Sequence, residues 1–199
     1  MAWKLCGWGE EVIYNYKDLD KTKIYGLMAS TVVPRPIAWI VTEGKDKVIN
    51  IAPFSYFIPL SSNPPIMIVS IGHKEDKTPK DTLKNIRETK KCTICIPNVE
   101  DKDLVQESSK SFEYGVSEAK ELDIKTKTMQ DGFPPMMANS KVAFFCELYE
   151  ELKIKKSQTI PLIVEVKAQY VEESIITDDG IDFLPLGRVA KDYAELKKI

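Results

Sequence analysis

The stretch Asn50-Ile51-Ala52-Pro53-Phe54-Ser55-Tyr56-Phe57 decides how this chain is read, because it begins as a strand and meets a proline that has no N–H to give to a ladder. The reading is of a strand that breaks at Pro53. The break turns backbone N–H groups and the small side chains around Ala52 and Ser55 toward a ligand, with Phe54, Tyr56 and Phe57 bordering an aromatic slot. The same residues also fit a strand that leaves the core through a proline bend with its rings packed inside. Further along, Thr78-Pro79-Lys80-Asp81-Thr82 reads as a helix start, with Thr78 at the N-cap, Pro79 at the first helical position and Asp81 in the first turn. Leu83 and Ile86 supply the apolar face of a helix expected over residues 79–89. The unpaired N–H groups of that first turn attract an anion, and Lys80 with the hydroxyls of Thr78 and Thr82 would add charge-assisted hydrogen bonds to a phosphate. Simple capping, with Asp81 satisfying those N–H groups itself, fits the local pattern as well. Together the two segments offer what a flat, phosphorylated molecule requires.

Outward from this pair, the pattern is β. Pro36-Ile-Ala-Trp-Ile-Val-Thr42 and Val48-Ile-Asn-Ile-Ala52 are apolar and β-branched and flank the polar tract Glu43-Gly44-Lys45-Asp46, which predicts an antiparallel hairpin. Pro65-Ile-Met-Ile-Val-Ser-Ile71 and Cys92-Thr-Ile-Cys-Ile96 do not alternate between polar and apolar as a sheet with one wet face would. Both their faces are therefore expected to be covered, one filling a barrel and the other packing on a helix or a second subunit. Residues 99–112, with Leu104 and Val105, read as a loosely amphipathic surface helix, and residues 117–122 as a short helix capped by Ser117, both inside an insertion between strands. The runs Lys141-Val-Ala-Phe-Phe-Cys-Glu-Leu148 and Ile160-Pro-Leu-Ile-Val-Glu-Val166 restart the β pattern, and Asp178-Asp179-Gly180 predicts a turn. With no internal repeat or linker, the expectation is one domain over residues 1–199: a mainly β barrel with short peripheral helices.

Composition excludes several classes. Lys and Arg number 28 against 30 Asp and Glu, so the formal charge of −2 creates no field that would gather nucleic acid or a membrane surface. Cys6, Cys92, Cys95 and Cys146 are too scattered for a disulfide framework, and the N-terminal Met1-Ala-Trp-Lys-Leu-Cys-Gly-Trp lacks the apolar run of a signal peptide, so a reducing, cytoplasmic setting is expected. Apolar runs such as Ile66-Met-Ile-Val69 fall far short of the roughly 18 residues that span a bilayer. A lone histidine, His73, and the lack of G-x-S-x-G argue against Ser-His-Asp hydrolysis, and a single histidine without paired C-x-x-C elements leaves zinc without an evident ligand set. Neither G-x-G-x-x-G nor a P-loop is present. Cys92-Thr-Ile-Cys95 matches C-x-x-C, yet on a strand these positions point to opposite faces, which separates the sulfurs rather than poising a dithiol. Arg35, between Pro34 and Pro36, reads either as an anion contact or as a solvated charge before a strand, and the basic run Lys74 to Lys91 as a solvated helix face.

Four segments in order, Pro34-Arg-Pro-Ile-Ala-Trp-Ile-Val-Thr42, Asn50-Ile-Ala-Pro-Phe-Ser-Tyr-Phe57, Asn63-Pro-Pro-Ile-Met-Ile-Val-Ser70 and Lys80-Asp-Thr-Leu-Lys-Asn-Ile86, resemble the flavin reductase-like, FMN-binding split-barrel family that includes flavoredoxins. Gly115-Val-Ser-Glu118 and Leu186-Gly-Arg188 with Tyr193 add weaker likeness. The resemblance implies a split β-barrel of Greek-key type that forms a homodimer, with FMN near the subunit interface. Carried over, Asn50, Ala52, Ser55 and Tyr56 would border the isoalloxazine and ribityl groups, while Ser70, Lys80, Asp81 and Thr82 match the segments that hold the phosphate end, with Asp81 orienting the turn or Lys80. It implies an oxidoreductase that takes reducing equivalents from NADH or NADPH to flavin and on to an acceptor. The alternatives are a flavoredoxin-like carrier reduced by a protein donor and a non-catalytic small-molecule-binding barrel.

Overall fold

The β-branched runs form seven strands, β1 (Ala38–Glu43), β2 (Ile49–Phe54), β3 (Phe57–Ser62), β4 (Pro65–Gly72), β5 (Lys91–Ile96), β6 (Val142–Glu151) and β7 (Thr159–Val171). They make one antiparallel sheet in the order β2-β1-β5-β6-β7-β4-β3 in this computed structural model, which describes residues 12–44, 46–74, 76–113 and 115–198. The two edge strands, β2 and β3, follow one another in the chain with only Ser55 and Tyr56 between them. The sheet therefore curls until its edges meet at that corner, and among the described residues no ladder joins them, which is the split of a split barrel.

Alternation sorts the side chains into two cores. Ala38 and Ile40 of β1 point inward to meet Val69, Ile94 and Leu162, while Trp39 and Val41 point outward against Val105, Ile124, Met136 and Met137. β5 is likewise covered on both faces, as expected, whereas β4 alternates, burying Met67, Val69 and Ile71 and leaving Ile66, Ile68 and Ser70 half-exposed. Cys92 lies in the inner core and Cys95 in the outer one, so the sheet does divide the two sulfurs. Cys6 and the N-terminal segment read for a signal peptide lie outside the described residues. Residues 176–181 form the expected tight hairpin, with Gly180 at φ +120°. Among the described residues no helix is long and apolar enough to cross a membrane.

The register of β1 with β2 explains the site's location. Ala38 pairs with Phe54, Ile40 with Ala52 and Thr42 with Asn50, so the inward face turns from apolar to polar toward one end of the barrel. That end is closed by a helix that sets Leu83 and Ile86 into the core beside buried Thr82 and Asn85.

Among the described residues four α-helices surround the sheet: α1 (Lys21–Thr31), α2 (Asp81–Thr89), α3 (Lys102–Glu107) and α4 (Glu118–Glu121). α1 has no counterpart in the sequence reading, and Asp20 caps it by accepting the Lys23 N–H at 2.9 Å. α2 begins at Asp81, not at residue 79, with Lys80 at the N-cap and no side-chain cap. Thr78 is drawn back to Asp76, to which its amide and hydroxyl donate at 2.8 and 2.6 Å, and Pro79 bridges to His73 as extended chain. α3 stops at Glu107, and Ser108 beyond it accepts the Trp39 indole N–H at 2.9 Å. Ser117 does not cap α4; its hydroxyl donates to the Ile49 carbonyl at 2.7 Å.

The strand also does not break at Pro53. β2 continues to Phe54, with Pro53 opposite Trp39. The Ile51 N–H points off the open edge of the sheet, to Glu118. Pro53, two residues further, has the same orientation, so its missing N–H removes nothing from the ladder.

Candidate active site at the barrel rim

A cleft opens where the polar end of β2 meets the first turn of α2. Asn50, Ala52, Lys80, Asp81, Thr82 and Glu118 line it, and residues 108–112 form its far wall. Asn50 donates through Nδ2 to Thr82 Oγ1 at 2.9 Å and to Thr42 Oγ1 at 3.3 Å, and Asn85 donates to the same Thr42 oxygen at 3.1 Å. This buried network fixes the Thr82 hydroxyl as an acceptor and leaves its own proton without an acceptor among the described residues.

Of the cleft lysines, Lys74 and Lys110 pair with Asp81 and Glu107, and Lys80 is left as the candidate for an anion. Asp81 pairs at 2.7 Å with Lys74, so of the two roles expected for it, orienting the turn or Lys80, it makes no ion pair with Lys80, and Lys74 itself lies in the cleft wall and not on a solvated helix face. The Lys80 ammonium sits 5.9 Å from the Phe54 ring centroid with no carboxylate paired to it among the described residues. Burial first, and then the Lys74 charge, hold its pKa below the ordinary lysine value, with Asp81 opposing. A desolvated cation without a counter-ion is stabilised by an incoming anion.

Glu118 closes the cleft from α4 and is 5 % exposed. Its Oε2 accepts the Ile51 N–H at 3.0 Å while Ser117 donates to Ile49, so two side chains occupy the free edge of β2 as a neighbouring strand would. Burial pushes the Glu118 carboxyl above its usual value, and the Ile51 hydrogen bond opposes that shift.

The other candidates gather around the Ser55-Tyr56 corner. Tyr56 and Ser70 line an apolar cavity of about 380 Å³ with Met28, Pro34, Phe57 and Ile68, so Ser70 does not join Lys80, Asp81 and Thr82 as a phosphate group would need. Its amide donates to the Tyr56 carbonyl at 2.8 Å, which ties β4 to the corner. Tyr56 stacks on Tyr25 of α1 with centroids 6.3 Å apart, whereas Phe54 and Phe57 pack into the barrel as the core reading expects.

Arg35 is not the solvated charge of one of the two expectations made for it. It is 5 % exposed, and its guanidinium donates to the Ala29 and Ala190 carbonyls and, through Nε at 3.3 Å, to Ser55 Oγ. Its backbone exchanges two 2.9 Å hydrogen bonds with Arg188. Arg35 thus ties α1, the corner and the C-terminal hairpin (residues 187–194) together and orients Ser55.

Ser109 and Lys110 in the cleft wall carried no local signal. Glu118 and Arg188 lay in segments of weaker likeness, and only the fold shows what they touch.

A curled antiparallel barrel whose edge strands β2 and β3 meet without pairing is a split barrel. The chain belongs to the flavin reductase-like family: residues 28–194 match the flavin reductase like domain. An uncharacterized protein of Aquifex aeolicus is 29 % identical over 180 residues, covering 89 % of this chain and 91 % of that relative. Among solved structures, nitrilotriacetate monooxygenase component B from Bacillus cereus superposes with a TM-score of 0.88 at 23 % identity, covering 96 % of this chain and 98 % of that one. Flavoredoxin of Desulfovibrio vulgaris does so with a TM-score of 0.73 at 20 % identity, covering 84 % and 90 %. At such identities the likeness is one of fold.

Proposed function

We propose that the rim cleft holds FMN and that the protein is an oxidoreductase passing reducing equivalents from NADH or NADPH through that flavin to an acceptor. The observation that carries this is Lys80, half-buried and without a paired carboxylate, beside a fixed Thr82 hydroxyl and the uncapped first turn of α2. Those donors fit a phosphate ester. When bound, the flavin supplies a ring that accepts a hydride or single electrons, which is why no catalytic triad is needed.

The chain's own residues have the remaining tasks. Lys80, Thr82 and the first-turn N–H groups hold the phosphate, Asn50 holds Thr82, and Asp81 occupies Lys74 so that Lys80 stays available. Ala52, Ser55 and Tyr56 border the ring, with Arg35 fixing Ser55. Ile58 and Leu60 on β3 are 55 % and 48 % exposed close to Tyr56, which supports a homodimer that covers this edge with the flavin near the interface.

Titration of the purified protein with FMN and with riboflavin, followed by flavin fluorescence, tests the reading. FMN is expected to bind at least about tenfold more tightly, because riboflavin lacks the phosphate that Lys80 and Thr82 address. Added NADH or NADPH should then be oxidised. Flavin binding without that oxidation would identify an electron carrier with a protein donor, and no flavin binding would overturn the proposal.

A further inference from the structure

Asn50 fixes the Thr82 hydroxyl, yet it stands where a sheet is weakest. It is the second residue of β2, an edge strand that among the described residues pairs with β1 on one side and with no strand on the other. The end of such a strand frays, because its outward N–H and C=O groups gain as much from water as from the sheet. Fraying there would break the 2.9 Å bond from Asn50 Nδ2 to Thr82 Oγ1 and let the hydroxyl turn.

Two successive side chains at the start of α4 oppose this. Ser117 Oγ donates to the Ile49 carbonyl at 2.7 Å, and Glu118 Oε2 accepts the Ile51 N–H at 3.0 Å. One bond falls on each side of Asn50, and together they supply the donor and the acceptor that a paired strand would. Both side chains are buried, which shields the two bonds from water. The Ile51 side chain is anchored in the outer core, while the Asn50 side chain points into the barrel toward Thr42 and Thr82. Glu118 also lines the cleft itself. A carboxylate in the wall of an anion site works against that site through like-charge repulsion, so its presence there calls for another task. Holding β2 is such a task.

We propose that Ser117 and Glu118 are positioning residues for phosphate recognition: by clamping Ile49 and Ile51 they hold Asn50, and through it Thr82, so that α4 sets how strongly the cleft prefers a phosphorylated flavin to an unphosphorylated one. Neither side chain touches the phosphate. The inference rests on the flavin reading of the cleft.

The test titrates wild type, Ser117→Ala, Glu118→Ala and Glu118→Gln with FMN and with riboflavin, followed by flavin fluorescence. Ser117→Ala removes one clamp bond without changing any charge. It should weaken FMN binding about fivefold or more and leave riboflavin within about twofold, so that the preference for the phosphorylated flavin falls. Glu118→Gln keeps an acceptor for the Ile51 N–H and removes a like charge, so it should bind FMN at least as tightly as wild type. Glu118→Ala shares that loss of charge but not the acceptor, and should bind FMN about fivefold or more weakly than Glu118→Gln. A preference for FMN over riboflavin that is unchanged in Ser117→Ala overturns the proposal. Equal FMN binding by Glu118→Gln and Glu118→Ala also overturns it, because the acceptor would then contribute nothing. Should wild type bind neither flavin, or both equally, the functional reading fails by itself. The clamp is then judged in the ligand-free protein by exchange of the Asn50 side-chain amide protons. Ser117→Ala should speed that exchange about tenfold while the Val69 backbone amide of β4 keeps its rate, and equal Asn50 exchange in the two proteins rejects the clamp.

Discussion

Inside the barrel, Ile40, Val69, Ile94, Leu83 and Leu162 are fully buried among apolar neighbours, whereas at its rim the buried positions are Thr42, Asn50, Thr82, Asn85 and Glu118. The two regions share strands: Ile40 and Thr42 are successive inward positions of β1, and Ala52 and Asn50 their partners on β2. Each apolar side chain inside contributes roughly 1.5–3 kcal/mol by burial. Each rim hydrogen bond nets only about 1 kcal/mol, because it replaces one to water. The rim also carries outright costs. Asn85 Oδ1 is buried with no partner among the described residues, and Lys80 and Glu118 are both charged less readily than in water. The interior holds the fold, and the rim gives up stability where its polar and charged groups are buried.

The sharpest way to break that contrast is Ile40→Ala. It should lower unfolding stability by about 2–5 kcal/mol, read as a shifted denaturant midpoint, because the closed interior cannot collapse around the void. A loss below about 1 kcal/mol would mean that the interior is not what holds the barrel.

Lys80→Met probes the opposite region. Lys80's folded pKa is lowered, so the charged form is disfavoured by folding throughout the range below that value, and this penalty disappears as pH rises through the folded pKa toward the ordinary lysine value. The variant should therefore bind FMN at least about tenfold more weakly while the ligand-free protein unfolds at the same or a higher midpoint at pH 7. Stability and affinity falling together would show Lys80 to be structural.

Glu118→Gln refines the comparison with the smallest effect. The amide oxygen can still accept the Ile51 N–H, so the edge of β2 stays covered while the charge is lost. Since the folded pKa is raised, Glu118 favours folding below the ordinary carboxylate value, and that contribution is lost as pH rises through the folded one. The variant should be modestly more stable than wild type at pH 7, and a pH series of thermal midpoints should lose its decline over that window. An unchanged decline would place its origin elsewhere.

Much of the fold was legible because hydrophobic periodicity reports burial directly. The hairpin around Gly44, the doubly covered β5 and the separation of Cys92 from Cys95 all follow from period-two alternation. α1 escaped because only Ala29 of its residues is buried, so it shows no apolar stripe, and β3 because an edge strand with Pro59 and five exposed positions carries no alternation. The helix start was misplaced because Thr78 had two competing roles, accepting from first-turn N–H groups as a cap or donating to Asp76, and the nearby carboxylate prevails. In the site, Asn50, Ala52, Lys80, Asp81 and Thr82 were named from sequence and do share a cleft, while Ser70 lies apart.

By itself the sequence determined most of the strands, β1, β2, β4, β5, β6 and β7, the double covering of β5, and that Lys80 and Thr82 sit near a helix start, since each depends on neighbours a few residues apart. Only the tertiary structure decided that Arg35 is a buried tie and not a surface charge, that Asp81 answers Lys74, and that Glu118 covers the edge of β2. Those outcomes depend on contacts between segments distant in the chain, and a charged side chain's role is set by whichever partner the closed barrel brings within hydrogen-bonding reach.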